Sequence, residues 1–337
     1  MILVTGGAGY IGSHTIVDLI ENGFEVISAD NFSNATNGTF KGIKKATGQK
    51  VKNYNIDLCD WSDVKKIFKK NIDIQGIIHF AALKSVGESV EKPLEYYQNN
   101  INSLANILRA AKRYNVPNVI FSSSCSVYGN TKKLPVTEKT PLQETESPYA
   151  FTKVIGEKMM QDFIKVNPDK KAILLRYFNP AGAHPSNFIG EASPKMLNLV
   201  PVITACAAGK IPELEVFGND YDTRDGSCVR DYIHVCDLAN AHTLALQKCI
   251  SGSLSKSCEI INLGIGEGVT VLEAINAFEK VSETKLNYKI EGRRAGDVVA
   301  VYADNTKAKT QLGWQPKYNI EDIMRTAWAW EKKNIQK

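Results

Sequence analysis

Apolar positions along the chain alternate between short continuous runs and longer spaced patterns. Ile2 to Thr5 is a run of four apolar or β-prone residues and predicts a short buried strand. Ile11, Ile16, Leu19 and Ile20 then fall on one side of a helical pattern. Glu25 to Asp30 predicts a second strand, Val51 to Asn55 a third ending near Asp57, and Gly76 to Phe80 a fourth. Asn118 to Ser122 predicts a fifth and Lys171 to Phe178 a sixth. Helices are predicted between them. One carries Val64, Ile67 and Phe68 on a single face. A long one, Leu94 to Tyr114 after Pro93, has an apolar stripe of Leu104, Ile107, Leu108 and Ala111. Another opens at Ser147-Pro148-Tyr149. Alternation of strand and helix implies a parallel, doubly wound α/β sheet with helices on both faces.

The pattern changes near residue 180. Ala183 to Pro194 is rich in Gly, Pro, Ser and Asn and predicts a loop. Beyond it the elements are short and irregularly spaced: a helix near Leu197 to Ala208, a strand near Leu214 to Phe217, and a loop through Asp222 to Gly226. A helix near Asp237 to Cys249 and a strand near Glu259 to Leu263 follow, then helices near Thr270 to Lys280 and Ile320 to Lys332, with strand-like Val298 to Tyr302 between them. Two units are therefore expected, residues 1–180 as a nucleotide-binding domain and 181–337 as a smaller α/β lobe. Late strands of the second can return to the main sheet.

Between the first strand and the first helix stand Gly6, Gly9 and Gly12, in a G-x-x-G-x-x-G spacing. In a strand–turn–helix context this pattern reads as a Rossmann-type dinucleotide turn. Gly6 takes the tight turn, Gly9 lets a pyrophosphate approach the backbone, and Gly12 permits close packing of helix on strand. The second strand ends in Asp30, about 20 residues on, where a carboxylate holds the adenosine ribose diol. No Lys or Arg follows closely, since the next residues are Asn31, Phe32, Ser33 and Asn34. A 2′-phosphate would meet only the carboxylate there, so NAD is expected rather than NADP.

Composition narrows the remaining classes. Apolar residues make up 43% and charged residues 23%, as in an ordinary globular protein. The net charge of +5 is spread without a basic run, which argues against nucleic-acid binding. Cysteines at 59, 125, 206, 228, 236, 249 and 258 form no Cys-x-x-Cys or Cys/His cluster, so no metal is expected. An odd, scattered set suits reduced thiols and a cytoplasmic protein. The first strand occupies the N-terminus, leaving no signal peptide to expect. No run approaches the ~18 apolar residues of a membrane span.

Tyr149 and Lys153, at i and i+4, share a helical face. Alone the pair could be a chance surface arrangement. After a dinucleotide turn and the Ser122-Ser123-Ser124 strand end, it reads as catalytic.

Several longer stretches carry a resemblance. They are Val4 to His14, Ile78 to Ser89, Lys92 to Tyr97, Phe121 to Ser124, Leu175 to His184, Phe217 to Tyr221, Val229 to Val235 and Arg293 to Asp297. They anchor a resemblance that covers nearly the whole chain, to the UDP-glucose 4-epimerase family of extended short-chain dehydrogenase/reductases. The resemblance implies that NAD touches Tyr10 and Ile11, then Asp30, Asn31, Phe32, Ser33, Asn34 and Ala35. It adds Asp57 and Leu58, the strand end Phe80, Ala81, Ala82, Leu83 and Lys84, and Asn99. Ser122, Tyr149, Lys153, Tyr177 and Phe178 complete the set. A UDP-hexose is implied to meet Lys84, Ser124, Tyr149, Asn179, Asn198, Leu199, Glu215, Val216, Phe217, Arg230, Arg294 and Asp297.

The implied chemistry inverts C4 of the hexose. The hydrogen there is not acidic, so it must leave as hydride while a base takes the hydroxyl proton. Tyr149 is the implied base, with Lys153 and the nicotinamide charge expected to favour its phenolate against an ordinary pKa near ~10. Ser124 is implied to hold the 4-oxygen. Arg230 and Arg294 are cations for the diphosphate, and Asp297 a partner for the uridine ribose. Relatives pair through two helices into a four-helix bundle, which implies a homodimer through the helices near Ile101 to Tyr114 and Tyr149 to Val166. Met159, Met160 and Phe163 suit that seam and suit core packing equally.

Val301 departs from family members that carry an aromatic residue at this position beside the sugar 2-substituent. A small residue leaves room for an N-acetyl group, so UDP-GlcNAc and UDP-GalNAc are expected as further substrates. Three competing readings stay open. A sugar-nucleotide 4,6-dehydratase needs an Asp-Glu pair after the serine, whereas Cys125-Ser126 stand here. A GDP-sugar epimerase-reductase would want NADP, against Asp30. A catalytically silent NAD-binding module would have no use for the Tyr149/Lys153 pair.

Overall fold

The computed structural model describes residues 1–192, 198–294 and 297–335. Pro194, Leu197, Ala295 and Gly296, which figure in the expectations above, lie outside the described residues. The chain begins β1 (Ile2–Thr5), α1 (Tyr10–Glu21), β2 (Val26–Ala29), α2 (Gly38–Thr47), β3 (Lys52–Tyr54), α3 (Trp61–Lys70) and β4 (Gly76–His79). It continues with α4 (Val86–Glu91), α5 (Pro93–Arg113), β5 (Asn118–Ser124), a 3-10 turn at Cys125–Tyr128, α6 (Pro148–Val166) and β6 (Lys171–Tyr177). Next come β7 (Asn179–Ala181), α7 (Leu199–Ala207), β8 (Leu214–Phe217), β9 (Val229–Arg230), β10 (Tyr232–His234), α8 (Val235–Ile250) and β11 (Cys258–Leu263). The last elements are β12 (Val269–Thr270), α9 (Val271–Ser282), β13 (Tyr288–Glu291), β14 (Ala300–Val301) and α10 (Ile320–Ile335).

Seven strands form one parallel sheet in the order β11-β6-β5-β4-β1-β2-β3. The order reverses between β1 and β4, the point at which such sheets open a crevice at the carboxyl ends of the strands. Every residue of β1, β2, β4 and β5 is buried, so both faces of the sheet must be covered. One face packs against α1, α2 and α8 through Ile16, Leu19, Ile43 and Leu246. The other packs against α3, α5 and α6 through Phe68, Ile107, Met160 and Ile164.

Local capping sets where the helices start. Asp60 accepts from Ser62 N ahead of α3, and Ser85 from Glu88 N ahead of α4. Ser147 accepts from Ala150 N, and Pro148 occupies the first helical position of α6. That start places Tyr149 in the first turn and Lys153 in the next. Gly156 lies so close to Phe121 that a Cβ would sit 2.5 Å from its ring, and this draws α6 down onto β5.

The described residues after 180 do not all leave the large sheet. β11 pairs with β6, and α8 packs across α1. The remaining elements build a separate apolar cluster of Val200, Ile203, Val216, Phe278, Ile323 and Met324 from α7, β8, α9 and α10. The helices α2 and α4, the strand β13 and the brief strands β7, β9, β10 and β12 had no forecast from periodicity. Two or three residues are too few to show a period, and α2 buries only Gly42 and Ile43 fully, with Phe40 and Ala46 partly buried against the same core. Of the strand-like Val298 to Tyr302, only Ala300 and Val301 pair. β5 runs two residues beyond its predicted end, so all three serines lie within the strand. Met160 is fully buried in the sheet core, with Met159 and Phe163 partly buried against the same cluster. Among the described residues no helix is long and apolar enough to cross a membrane.

Candidate active site

β1 ends beside β4, and the glycine turn follows at that edge. Gly6 has φ +69°, and a Cβ on it would lie 2.8 Å from Ala81 N. A Cβ on Gly12 would run into the carbonyl oxygen of Gly6, so the turn itself needs this glycine. Gly7, outside the G-x-x-G-x-x-G spacing, is the residue that packs against the second strand, at Ser28, and against Ile16. Gly9 opens α1 with no side-chain cap and no acidic residue in the first turn. The first-turn N–H groups at Tyr10 and Ile11 therefore carry unopposed partial positive charge suited to a phosphate. Tyr10 OH donates to Gly182 O at 2.6 Å, tying this turn to the chain after β7.

Asp30 stands at the end of β2 beside that turn. Its carboxylate accepts from Ala8 N at 3.0 Å and from Phe32 N at 2.8 Å, and burial raises its pKa against those hydrogen bonds. Asn31 accepts from Ser33 N at 3.1 Å, while Asn34 is exposed and Ala35 half-buried along the same rim. Asp57 is exposed and accepts from Cys59 N at 2.8 Å, whereas Leu58 is buried and can offer a ligand little beyond its backbone. Across the crevice, Phe80, Ala81, Ala82 and Leu83 are half-buried and Lys84 is exposed, with its ammonium 3.4 Å from Glu191. Asn100, which the sequence reading passed over, fixes this segment. It accepts from Leu83 N at 2.8 Å, donates to Leu83 O and to Thr152 Oγ1 at 3.0 Å each, and accepts from Asn99 Nδ2 at 2.9 Å. These residues fit a dinucleotide: a turn with no room for Cβ atoms, an open helix start, and a carboxylate with no cation beside it.

Ser124, Tyr149 and Lys153 meet at the same edge. Lys153 is 5% exposed and donates from Nζ to Ser122 O at 2.7 Å, 5.8 Å from the centre of the Tyr149 ring. Burial lowers its pKa to about 8, with the Glu157 carboxylate opposing. Burial pushes the Tyr149 phenol well above its ordinary range, Tyr177 adds to the rise, and the Ser124 hydroxyl works against it. The Lys153 ammonium spends one N–H on the Ser122 carbonyl and keeps two others on the side of the site where Tyr149 stands. Ser124 Oγ accepts from Ser126 Oγ at 3.0 Å and from Ser126 N at 3.2 Å. Ser122 Oγ is bonded to Tyr177 OH, whose pKa burial raises to about 12. Cys125 is pushed up to about 12 by burial, so it stands as a neutral thiol where a dehydratase would place a carboxyl.

The remaining predicted residues divide into groups. Arg230, Asp297 and Arg294 come together, with Asp297 Oδ1 3.5 Å from Arg230 Nη2 and 2.8 Å from Arg294 Nη2. The Arg294 guanidinium lies 5.3 Å from the centre of the Phe217 ring. Val301 pairs in register with Arg230, is 8% exposed, and packs in a cluster with Val127, Tyr128 and Phe178. Asn179 pairs with Tyr232 between β7 and β10. Asn198 precedes Leu199 at the start of α7 and donates to Glu191 at 3.4 Å, near Lys84. Two side chains do not join the site. Val216 is 1% exposed in the second core, and Glu215 is exposed and pairs with Lys289 at 3.4 Å. Asp231 was also passed over. It accepts from Ile265 N, Gly266 N and Ala303 N at 2.8, 3.2 and 3.0 Å, and so holds the strand of Val301 beside Arg230. Burial raises its pKa to about 6.

Fold and site define an extended short-chain dehydrogenase/reductase. Residues 3–327 match the family model described as GDP-mannose 4,6 dehydratase. A UDP-glucose 4-epimerase of Bacillus subtilis is 45% identical over 336 residues, 99% of this chain and 97% of the relative. A UDP-glucose 4-epimerase structure from Stenotrophomonas maltophila, with bound NAD and formylated UDP-arabinopyranose, is 40% identical. It superposes with a TM-score of 0.96 over 99% of this chain and 98% of its own. A Bifidobacterium longum epimerase in complex with NAD+ and UDP gives 0.93 at 43% identity, over 99% and 98%. The chain belongs to the UDP-glucose 4-epimerase family.

Proposed function

We propose that the protein interconverts UDP-galactose and UDP-glucose by inverting C4 of the hexose, with NAD held at the glycine turn. The observation that carries this reading is the meeting of Ser124, Tyr149 and Lys153 at the sheet edge that also carries Gly6 to Gly12. The start of α1 would take the pyrophosphate, Asp30 the adenosine ribose, and Lys153 the nicotinamide ribose. NAD, when bound, supplies the acceptor and then the donor of the C4 hydride.

The chain's own groups do the rest. Tyr149 takes the proton from the 4-hydroxyl and later returns it, and Ser124 holds the 4-oxygen by hydrogen bond. Arg230 and Arg294 grip the diphosphate, and Asp297 spaces their guanidiniums and meets the uridine ribose. With the nucleotide anchored, the 4-keto sugar turns about its bond to the diphosphate and presents its other face. Residues 1–180 serve the cofactor in this reading, and most of 181–337 serves the sugar nucleotide. The protein then acts in galactose metabolism in the cytoplasm, a compartment that suits seven cysteines standing as free thiols.

The small side chain of Val301 supports turnover of the N-acetylated pair as well. Val301→Tyr is expected to suppress UDP-GalNAc epimerisation at least tenfold more than UDP-galactose epimerisation, measured as kcat/KM on each. Equal loss on both pairs would remove Val301 from the sugar pocket. A homodimer through α5 and α6 is supported by the exposure of Leu94 and Phe151 on these helices, at 73% and 45%. The reading as a whole is tested by separate incubation with UDP-galactose and UDP-GalNAc with no NAD added and both products assayed. Formation of UDP-glucose supports it, and no product even with NAD supplied would overturn it.

A further inference from the structure

Four residues beyond Lys153, on the same face of α6, stands Glu157. It is 3% exposed, as is Arg176 of β6. Arg176 grips it with two parallel bonds, Nε to Oε1 at 2.7 Å and Nη2 to Oε2 at 2.6 Å. Ser123 Oγ donates to the same Oε1 at 2.5 Å. Arg176 Nη1 also donates to Tyr128 OH at 3.0 Å, and Tyr128 OH donates to Asn262 Oδ1 at 2.6 Å. Tyr128 closes the short turn that begins directly after Ser124. One carboxylate thus joins α6 to β5 and β6 and, through Tyr128, to the turn behind Ser124. These are the elements that present Tyr149, Lys153 and Ser124 to one another.

We propose that the buried Glu157–Arg176 ion pair is a positioning unit of the site, holding Lys153 and Tyr149 of α6 in register with the serines of β5. The inference rests on the reading of Tyr149 and Lys153 as the catalytic pair. Neither charge touches the crevice, so the unit acts through its neighbours. Burying both ions costs more than an apolar pair of the same size would, so bulk stability does not account for them. Their geometry supplies two things an apolar pair cannot. Bidentate bonding fixes the rotation of α6 about its axis, and the carboxylate places a negative charge one turn from Lys153.

The surroundings of Lys153 make that charge matter. His79 on β4 is kept neutral by burial, its pKa pushed down to about 3. Phe121 on β5 presents its ring, 5.2 Å from Nζ, and Ser122 its carbonyl. Tyr149 on α6 and Tyr96 on α5 are neutral phenols with raised pKa values. Glu88 on α4 is bonded to Tyr96 OH at 3.0 Å. Among the described residues, Glu157 is the carboxylate that favours the Lys153 ammonium against burial.

The test uses the full-length protein in three variants: Glu157→Gln, Glu157→Asp, and the double change Glu157→Leu with Arg176→Met. The double variant leaves neither Glu157 nor Arg176 buried without its partner, so it is expected to fold even where Glu157→Gln does not. Two quantities are read: the pH midpoint of Lys153 acylation, followed by mass spectrometry, and the pH profile of kcat. The Lys153 midpoint, near 8 in the parent, is expected to fall by about one pH unit in the Gln and double variants, a tenfold change in proton affinity. The alkaline decline of kcat should move down with it, with KM for UDP-galactose within twofold of the parent. Glu157→Asp should return the midpoint most of the way. An unmoved Lys153 midpoint in the folded double variant overturns the proposal, as does a uniform loss of kcat with an unchanged pH profile. Absence of epimerase activity in the parent would instead sink the functional reading, and the acylation midpoint would still decide the positioning role.

Discussion

Replacing Tyr149 with phenylalanine is expected to lower kcat for UDP-galactose by about 10²- to 10⁴-fold, the usual contribution of a positioned proton-transfer group. KM should change little, because the diphosphate anchor proposed at Arg230 and Arg294 is untouched. The fold should survive as well. The start of α6 is set by Ser147 and Pro148, and its seat on the sheet by Gly156, Lys153 and Glu157, none of which depends on the phenol. Ordinary phenylalanine packing leaves the ring in place and removes only the oxygen that faces Ser124. The measurement is the initial rate of UDP-glucose formation, with NAD content read on the same sample. A variant that keeps its NAD and turns over within a few-fold of the parent would show that another group carries the proton.

A steep loss of stability between pH 6.5 and 4 is the second large effect. All five histidines have pKa values lowered by burial: His14 and His79 to about 3, His234 and His242 to about 4, and His184 in the same direction. A base whose folded pKa is depressed binds its proton in the unfolded chain first. Its stabilising effect is therefore complete above the unfolded value near ~6.5 and is lost as pH falls below it. By pH 5 each of the first four costs about 2 kcal/mol relative to pH 7.

Carboxyls raised by burial act the other way, Asp18 and Asp30 among them and two fully buried ones most strongly. Asp231 and Asp237 are raised to about 6 by burial. The native state takes up their protons first and recovers about 1 kcal/mol for each by pH 5. Four histidines outweigh these aspartates, so the urea midpoint should fall markedly from pH 7 to pH 5. An unchanged midpoint would mean that the imidazoles gain solvent or partners on protonation. Restoring pH 7 should restore the fold, since no side chain is chemically altered.

Much of the nucleotide half was legible in the sequence, for a definite reason. β1, β2, β4, β5 and β6 are buried on both sides, so they appear as unbroken apolar runs, and the glycine turn needs glycines that nothing else can replace. Tyr149 and Lys153 were legible because a helix repeat brings them to one face. Residues whose partners lie far along the chain were not. Glu157 meets Arg176 and Ser123, Asn100 meets Leu83 and Thr152, and Asp231 meets amides near 265 and 303. In a linear chain such residues look like ordinary surface polars. Glu157 did leave one trace, since it extends the 149, 153 spacing by another four residues. The second lobe hid most of its strands by their brevity. Val216 shows the opposite case: its side chain lies in the second core, which leaves only its backbone to meet a ligand.

The three serines of β5 divide their labour by the pleat of the strand. Ser122 and Ser124 turn to one face, toward Tyr177 and the phenol of Tyr149, and Ser123 turns to the other, toward Glu157. Adjacent side chains on a strand cannot exchange faces without shifting the whole strand by one residue. Tolerance to insertions and deletions must therefore be very uneven along this polypeptide. The exposed turn at 251–253 can change length at little cost. One residue gained or lost within β5 would bring Phe121 to face Tyr177 or Cys125 to face the phenol of Tyr149, and should silence the enzyme even if the strand re-formed with every backbone hydrogen bond intact.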